Sequence, residues 1–299
     1  MARLHRRDGA VAVRAGDRLA GPDRGRRGAA AAGAGPPAPV EVPERVRGRV
    51  RGAGARPRPY AARTGAPVLT QRLRWLTFLH WRYPAEVVQS RLPAGLTVET
   101  FDGTAWVGLV PLLIEEVRVA RLPALPWLSR FPQINLRTYV RGPDGGTGVW
   151  FLSLDAARLA AVVGGRLGYG LPYFWSSMSV RRTGAELSYR FRRRWPGPGG
   201  AGGGIEVVLG GPRDHAALTP LDQFLTDRHR LYSALAGRLV VAELAHPPWP
   251  LRQVRLRQLR QDLVTAAGLA APDHDPVLHG SDGVPVRVGR WRPVSDQSS

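Results

Sequence analysis

Apolar and polar positions alternate from Leu73 to Trp81. Leu73, Trp75, Thr77, Leu79 and Trp81 fall on one face of an extended strand, and Arg74, Leu76, Phe78 and His80 on the other. Both faces carry large apolar side chains, which suits a strand covered on both sides. Leu96–Phe101 and Thr104–Pro111 flank Asp102-Gly103, a strong two-residue hairpin signal. Ile134–Arg141 and Gly148–Leu154 flank Pro143-Asp144-Gly145-Gly146. Met178–Arg182 and Glu186–Trp195 flank Thr183-Gly184-Ala185, and both arrangements predict hairpins. Ile205–Leu209 predicts a further strand after the Gly-rich loop 196–204, which is turn chemistry rather than a phosphate cradle.

Two segments change period. Thr219 is a good N-cap and Pro220 a good first helical residue. Leu221, Phe224, Leu225, Leu231 and Leu235 make one apolar stripe, so a helix is expected from Thr219 to a stop at Gly237. Arg238–Ala245 reads as a strand, Pro247-Pro248-Trp249-Pro250 as a turn, and Val254–Gly268 as a second amphipathic helix with a basic outer face. Val284–Trp291 reads as a closing strand. Many consecutive strands with few helices predict an α+β fold: a mostly antiparallel closed β-barrel with two or three peripheral helices.

Composition alters the picture at the N-terminus. The chain has 299 residues and a net charge of +20, and all 43 of its basic residues are arginine. GC-rich codon usage accounts for much of that bias, so the charge alone is a weak sign of nucleic-acid binding. Residues 1–66 hold 15 Arg, 5 acidic residues and one aromatic, Tyr60. Such a segment cannot bury enough apolar surface to offset its ordering entropy, and it reads as a disordered basic tail. Three roles compete for it: a mis-assigned start, a non-specific polyanion arm, or a targeting segment. The Ala run at 29–35 lacks the large apolar residues of a secretory signal. Residues 67–292 are expected to form one domain and 293–299 a disordered C-terminus. No stretch approaches the roughly 20 apolar residues of a membrane span, so a cytoplasmic protein without a membrane partner is expected.

The absence of lysine and cysteine excludes several chemistries. No disulfide, thiolate zinc site or cysteine nucleophile can exist. No lysine Schiff base and no P-loop are available either. The histidines show no His-x-His or His-x₃-His spacing, so neither a metal nor a cofactor is expected. No Gly-x-Ser-x-Gly elbow is present.

An ordered series of motifs resembles a known family. Thr77-Phe78-Leu79-His80-Trp81, Phe101-Asp102-Gly103-Thr104-Ala105-Trp106, Asn135-Leu136-Arg137-Thr138-Tyr139-Val140 and Gly148-Val149-Trp150-Phe151-Leu152-Ser153-Leu154-Asp155-Ala156 begin it. Leu171-Pro172-Tyr173 and His246-Pro247-Pro248-Trp249-Pro250-Leu251 complete it. The series is similar to the YqjF-like family of uncharacterised conserved bacterial proteins. That resemblance implies the fold of acetoacetate decarboxylase, a closed β-barrel around a small-molecule pocket. Those decarboxylases carry Gly-Arg-x-x-x-Gly-x-Pro-Lys-Lys, where the first lysine forms the Schiff base and the second lowers its pKa. Here Gly165-Arg166-Leu167-Gly168-Tyr169-Gly170-Leu171-Pro172-Tyr173-Phe174 matches, with Tyr173 and Phe174 in place of the lysine pair. The resemblance also implies a glutamate just before the Asn-x-Arg strand. Gln133 stands near that place, and an amide cannot titrate.

Period two puts Gln133, Asn135, Arg137 and Tyr139 on one face of their strand, and Phe151, Ser153 and Asp155 on one face of the next. One reading is a polar barrel interior in which Arg137 clamps an acidic or carbonyl ligand, with Gln133, Asn135, His80 and Phe174 as further ligand-binding residues. The other is the outer face of a half-buried sheet. Tyr173 is the candidate catalytic acid or base. His246 and His279 read as structural or exposed.

A small-molecule-binding barrel is the leading expectation. The first alternative is an enzyme using Tyr173 or His80 as acid/base, with Arg137 stabilising a carboxylate or enolate. The second is polyanion binding, with nucleic acid held only non-specifically through residues 1–66. A homo-oligomer is compatible with the sequence.

Overall fold

The computed structural model describes residues 66–120, 129–197 and 199–294. Residues 1–65 of the segment read as a tail, and residues 295–299, lie outside the described residues. In chain order the elements are β1 (Leu69–Tyr83), α1 (Ala85–Gln89), β2 (Thr97–Val98), β3 (Thr100–Phe101), β4 (Thr104–Val119), β5 (Phe131–Arg141) and β6 (Thr147–Ala156). There follow α2 (Leu159–Tyr169), β7 (Tyr173–Thr183), β8 (Glu186–Trp195), β9 (Gly202–Pro212), α3 (Pro220–Thr226), β10 (Arg230–Leu235) and β11 (Arg238–Ala245). The last are β12 (Leu251–Gln261), α4 (Leu263–Ala266), β13 (Val277–Val288) and β14 (Arg292–Pro293).

The fold is mostly β, in one mixed sheet. Along it the strands run β14-β11-β10-β6-β7-β8-β9-β12-β13-β1-β4-β5-β2, and β5 also pairs with β6 and β11 with β13. All pairings are antiparallel except those that β6 makes with β7 and β10. The parallel β6–β7 pair has a direct cause. A parallel return needs a crossover, and α2 supplies it. The Ala-Val-Val-Gly-Gly run of α2 gave no clear sequence signal for a helix, so the antiparallel expectation missed this unit.

The hairpins form where the turn residues place them. Asp102 and Gly103 both adopt positive φ, at 50° and 73°, between β3 and β4. Such values twist the connection to match the strands. β1 is buried on both sides over Leu76–Trp81, as the double-sided pattern implies.

Two helix expectations are corrected. The helix capped by Thr219 ends at Thr226 rather than Gly237, and Leu231 and Leu235 belong to β10. Gly237 is the second residue of a two-residue hairpin, with Ala236 at φ 50° and Gly237 at φ 75°. The same glycine therefore marks a β-turn and not a helix stop. Val254–Gly268 is mainly β12, followed by the short α4. In β12, Val254, Leu256 and Leu259 point inward while Arg255, Arg257 and Arg260 are exposed. An irregularity between Leu256 and Gln258 stretches the apolar spacing so that it imitates a helix. At the C-terminus, β14 pairs with β11 and Val294 N–H donates to Leu239 O, so order runs past residue 292.

Bulges decide which side chains face which layer. The β1–β4 register slips by one residue between Arg74 and Leu79, and Trp75 sits at φ 51°. Leu73 therefore packs with Leu76 and Phe78, while Trp75, Leu79 and Trp81 pack on the opposite side. This corrects the simple alternation, which put Leu73 with Trp75. A second slip sits in β6: Leu136 faces Ser153 and Arg137 faces Phe151, leaving Leu152 as the extra residue.

Candidate functional site

A cavity of about 310 Å³ lies between β5, β6, β1, β13 and α2. Gln133, Asn135 and Arg137 all line it, as the alternation of β5 requires. Phe151 and Leu154 line it from β6. Ser153 and Asp155 were expected beside Phe151, but the Leu152 bulge turns them to the opposite side. There Asp155 meets Arg193 and Ser176.

Tyr173 lines the cavity and Phe174 does not. Consecutive strand residues point to opposite faces, so the two cannot share a site. Phe174 lies under the Arg193 guanidinium, 3.6 Å from Cζ to ring centroid. The Tyr173 hydroxyl donates to Gln133 Oε1 at 3.3 Å, and Gln133 Nε2 donates to Asn135 Oδ1 at 2.7 Å. This chain of donors ends at Asn135, whose amide N–H groups lie on the strand face that also carries Arg137. Burial pushes the Tyr173 hydroxyl up to about 12, against a smaller lowering by Gln133. Tyr173 therefore stays protonated near neutral pH and acts as a donor.

Tyr173 is positioned by α2. The Arg166 guanidinium donates to the Tyr173 carbonyl at 2.8 Å. A Cβ on Gly165 would lie 2.3 Å from the Tyr173 ring, whereas one on Gly168 would meet nothing within 4 Å. Gly165→Ala is expected to lower stability by about 1–3 kcal/mol through overpacking. Gly168→Ala on the same helix is expected to raise it by up to about 1 kcal/mol through helix propensity. Urea denaturation of the two variants checks this; a Gly165→Ala as stable as Gly168→Ala would mean that the ring yields freely.

Arg137 is the one partly buried cation of the site without a carboxylate. Its Nη2 donates to Leu225 O at 3.1 Å, and its buried Nε has no partner. The guanidinium lies 5.6 Å from the Phe78 ring and 5.7 Å from that of Tyr139. Arg228 also lines the cavity, but it is ion-paired with Glu99. Among the described residues no ion pair engages Arg137. Besides the two rings, it meets the Leu225 carbonyl at the end of α3, which carries a fraction of a charge.

His80 is near Arg137 but does not line the cavity. Tyr139 Oη donates to Leu225 O at 2.6 Å and contacts His80 Nε2 at 2.8 Å. The hydroxyl has one proton, so His80 Nε2–H is the donor and Nδ1 is a bare acceptor, consistent with its having no partner. Burial, with Arg137 and His279 adding to it, holds His80 well below the usual histidine range. Neutral His80 supports Tyr139. Gly108 makes the arrangement fit: it lies between the two strands, and a Cβ there would be 2.7 Å from His80 Cδ2.

The residues that sequence spacing missed come from distant elements. Thr226, Arg228 and His246 line the cavity, as do Trp249 and Trp291. His246 is buried, and both ring nitrogens face backbone carbonyls, Pro247 O at 2.8 Å and Arg228 O at 3.2 Å. Burial keeps it below the ordinary histidine value. Ligand atoms of Asp227, His229 and His246 lie within 4.8 Å of one another. The two imidazoles stack at 4.6 Å, and His229 faces Leu244 O with one nitrogen and Asp227 with the other. These nitrogens are committed to the backbone and to Asp227, which makes a poor cation cage. His279 is buried rather than exposed, held by Asp222 at 2.6 Å. No helix among the described residues is long and apolar enough to cross a membrane.

The fold has solved relatives. One is the enduracididine biosynthesis enzyme MppR complexed with pyruvate, with a TM-score of 0.56 at 15% identity, covering 78% of this chain and 92% of that one. Another is an acetoacetate decarboxylase-like enzyme from Sphingomonas wittichii RW1 (TM-score 0.54, 13% identity, 77% and 93% covered). A third is acetoacetate decarboxylase from Legionella pneumophila (0.52, 12%, 78% and 89%). The fold is therefore acetoacetate-decarboxylase-like. Uncharacterized protein YqjF of Bacillus subtilis (strain 168) is 30% identical over 226 residues, 72% of this chain and 88% of that protein. Residues 70–285 match the model of the DUF2071 family, described as an uncharacterized conserved protein, and the chain belongs to that family.

Proposed function

We propose that this protein binds a small acidic or carbonyl ligand against Arg137, without Schiff-base chemistry. One observation carries the reading: the Arg137 guanidinium lines a largely apolar cavity and, among the described residues, has no carboxylate partner, while its buried Nε–H is unused. A charge desolvated in that way is costly unless an anion completes it. The Tyr173–Gln133–Asn135 chain adds donors and no free base, so the wall is built to receive lone pairs. The pairings β11-β10-β6-β5-β4-β1-β13 return to β11, and every strand of that ring lines the cavity, which supports a closed barrel around it. MppR was solved with pyruvate, an acidic carbonyl compound, in the same fold.

The enzymatic alternative has less support. Tyr173 is held protonated, Gln133 cannot titrate, and His246 has both nitrogens turned to carbonyls. The polyanion-arm reading falls outside the described residues.

The test is ligand-observed NMR with pyruvate and hexanoate against hexanamide as the neutral control. The acids are expected to bind and the amide to bind at least tenfold more weakly. Arg137→Met is expected to weaken the acids by about 10- to 100-fold, the scale of a hydrogen bond to a charged group. Equal binding of acid and amide, or acid binding untouched by Arg137→Met, would sink the proposal.

A further inference from the structure

The main cluster of polar groups in the cavity lies on one wall; of the other polar lining residues, Arg228 is ion-paired with Glu99, His246 is turned to backbone carbonyls and Thr226 donates to Asp222 O. Gln133, Asn135 and Arg137 are alternate residues of one strand, with Tyr173 beside them. Most of the remaining lining is apolar: Leu73 and Val286 come from β1 and β13, Leu154 from β6, Phe131 from β5, and Trp249 and Trp291 from the loops. The volume of about 310 Å³ sits at the lower end for pockets that enclose drug-sized ligands. An engineered apolar cavity of about 150 Å³ accepts a benzene ring. This one has about twice that space, so a compound as small as pyruvate leaves most of the apolar wall without a partner.

Resting on the carboxylate reading above, we infer that the ligand is an amphipathic monocarboxylic acid. Its carboxylate meets Arg137 and the Asn135 amide. Its apolar body, a medium-length alkyl chain or an aryl group, fills the space against Leu73, Leu154, Val286 and the two tryptophans. Each methylene moved from water to that wall contributes about 0.8 kcal/mol, a factor of about four in affinity.

The experiment is calorimetric titration of the full chain with acetate, butyrate, hexanoate, octanoate, 3-phenylpropanoate, pyruvate and octanol. Affinity is expected to tighten about fourfold per methylene from butyrate to octanoate, with 3-phenylpropanoate near hexanoate or better. Ala161→Phe, at a residue that lines the cavity from α2, is expected to weaken octanoate by about tenfold or more relative to butyrate. Pyruvate or acetate binding as tightly as octanoate would overturn the amphipathic assignment and leave the Arg137 reading intact. Octanol matching octanoate would overturn the Arg137 reading while the apolar site stood. Absence of binding by every acid in the series would overturn both.

Discussion

Arg193→Met is expected to cost about 3–5 kcal/mol of folding stability, the range for removing one partner of a buried ion pair. Arg193 Nε and Nη2 donate to the two oxygens of Asp155 at 3.0 and 2.7 Å, and Ser176 donates to the same carboxylate at 2.7 Å. Asp155 is fully buried and Arg193 is only 6% exposed. Without the guanidinium, Asp155 keeps one hydroxyl and no counter-charge, and Phe174 loses the cation stacked on its ring. The double variant Arg193→Met with Asp155→Leu removes both charges and is expected to recover most of the loss, because the pair offsets its own desolvation only while both members are present. Chemical denaturation of wild type, both singles and the double closes the cycle. A single variant no less stable than the double would refute the argument.

The second large effect is expected at Asp222. Its backbone N–H donates to Thr219 Oγ1, and its carboxylate accepts from the Thr219 N–H and hydroxyl, completing a capping box. The same carboxylate accepts two bonds from Arg213, at 3.1 and 3.0 Å, and meets His279 Nε2 at 2.6 Å. Burial alone would raise its pKa. The bonds from His279, Thr219 and Arg213 together outweigh it and hold the carboxyl well below the usual carboxylate range. A depressed folded value contributes stability that is fully present above the unfolded value of about 4 and is lost as pH falls below it. Asp222→Asn is therefore expected to cost about 3–5 kcal/mol at pH 7. It should also flatten the acid limb of the stability profile below about pH 4. Urea midpoints measured from pH 3 to pH 7 provide the check. A variant whose acid limb stays as steep as that of wild type would show that Asp222 is not the titrating group. The consequence reaches the cavity, because the α3 carbonyl that receives Arg137 and Tyr139 belongs to the helix that Asp222 caps.

Much of the cavity wall could be read from residues alone. The alternation of Gln133, Asn135 and Arg137 survives intact because β5 has no extra residue within that stretch. The hairpins and the start of α3 were legible because Asp-Gly turns and a Thr-Pro cap act locally. What was not legible depends on partners far along the chain. Phe174 was placed in the site by analogy with a consecutive lysine pair, and strand alternation sends it to the other face. Asp155 was placed with Phe151, and the Leu152 bulge separates them. Arg228 carried no motif, and its neutralisation by Glu99 spans two elements. Leu231 and Leu235 fit a helical stripe as well as a strand, and only the pairing of β10 with β11 and β6 decides between them.

The bulge at Leu152 has an evolutionary consequence. Ordinary change in a binding site proceeds one side chain at a time. A strand whose facing depends on an inserted residue offers another route. A residue gained opposite it in β5 would give Leu152 a partner, restore the plain alternation and exchange the contents of two layers at once, trading apolar wall for Ser153 and Asp155 along the same stretch. Which side chains line the cavity is therefore written partly in chain length, and one inserted residue can recast that lining in a step where substitution would need several.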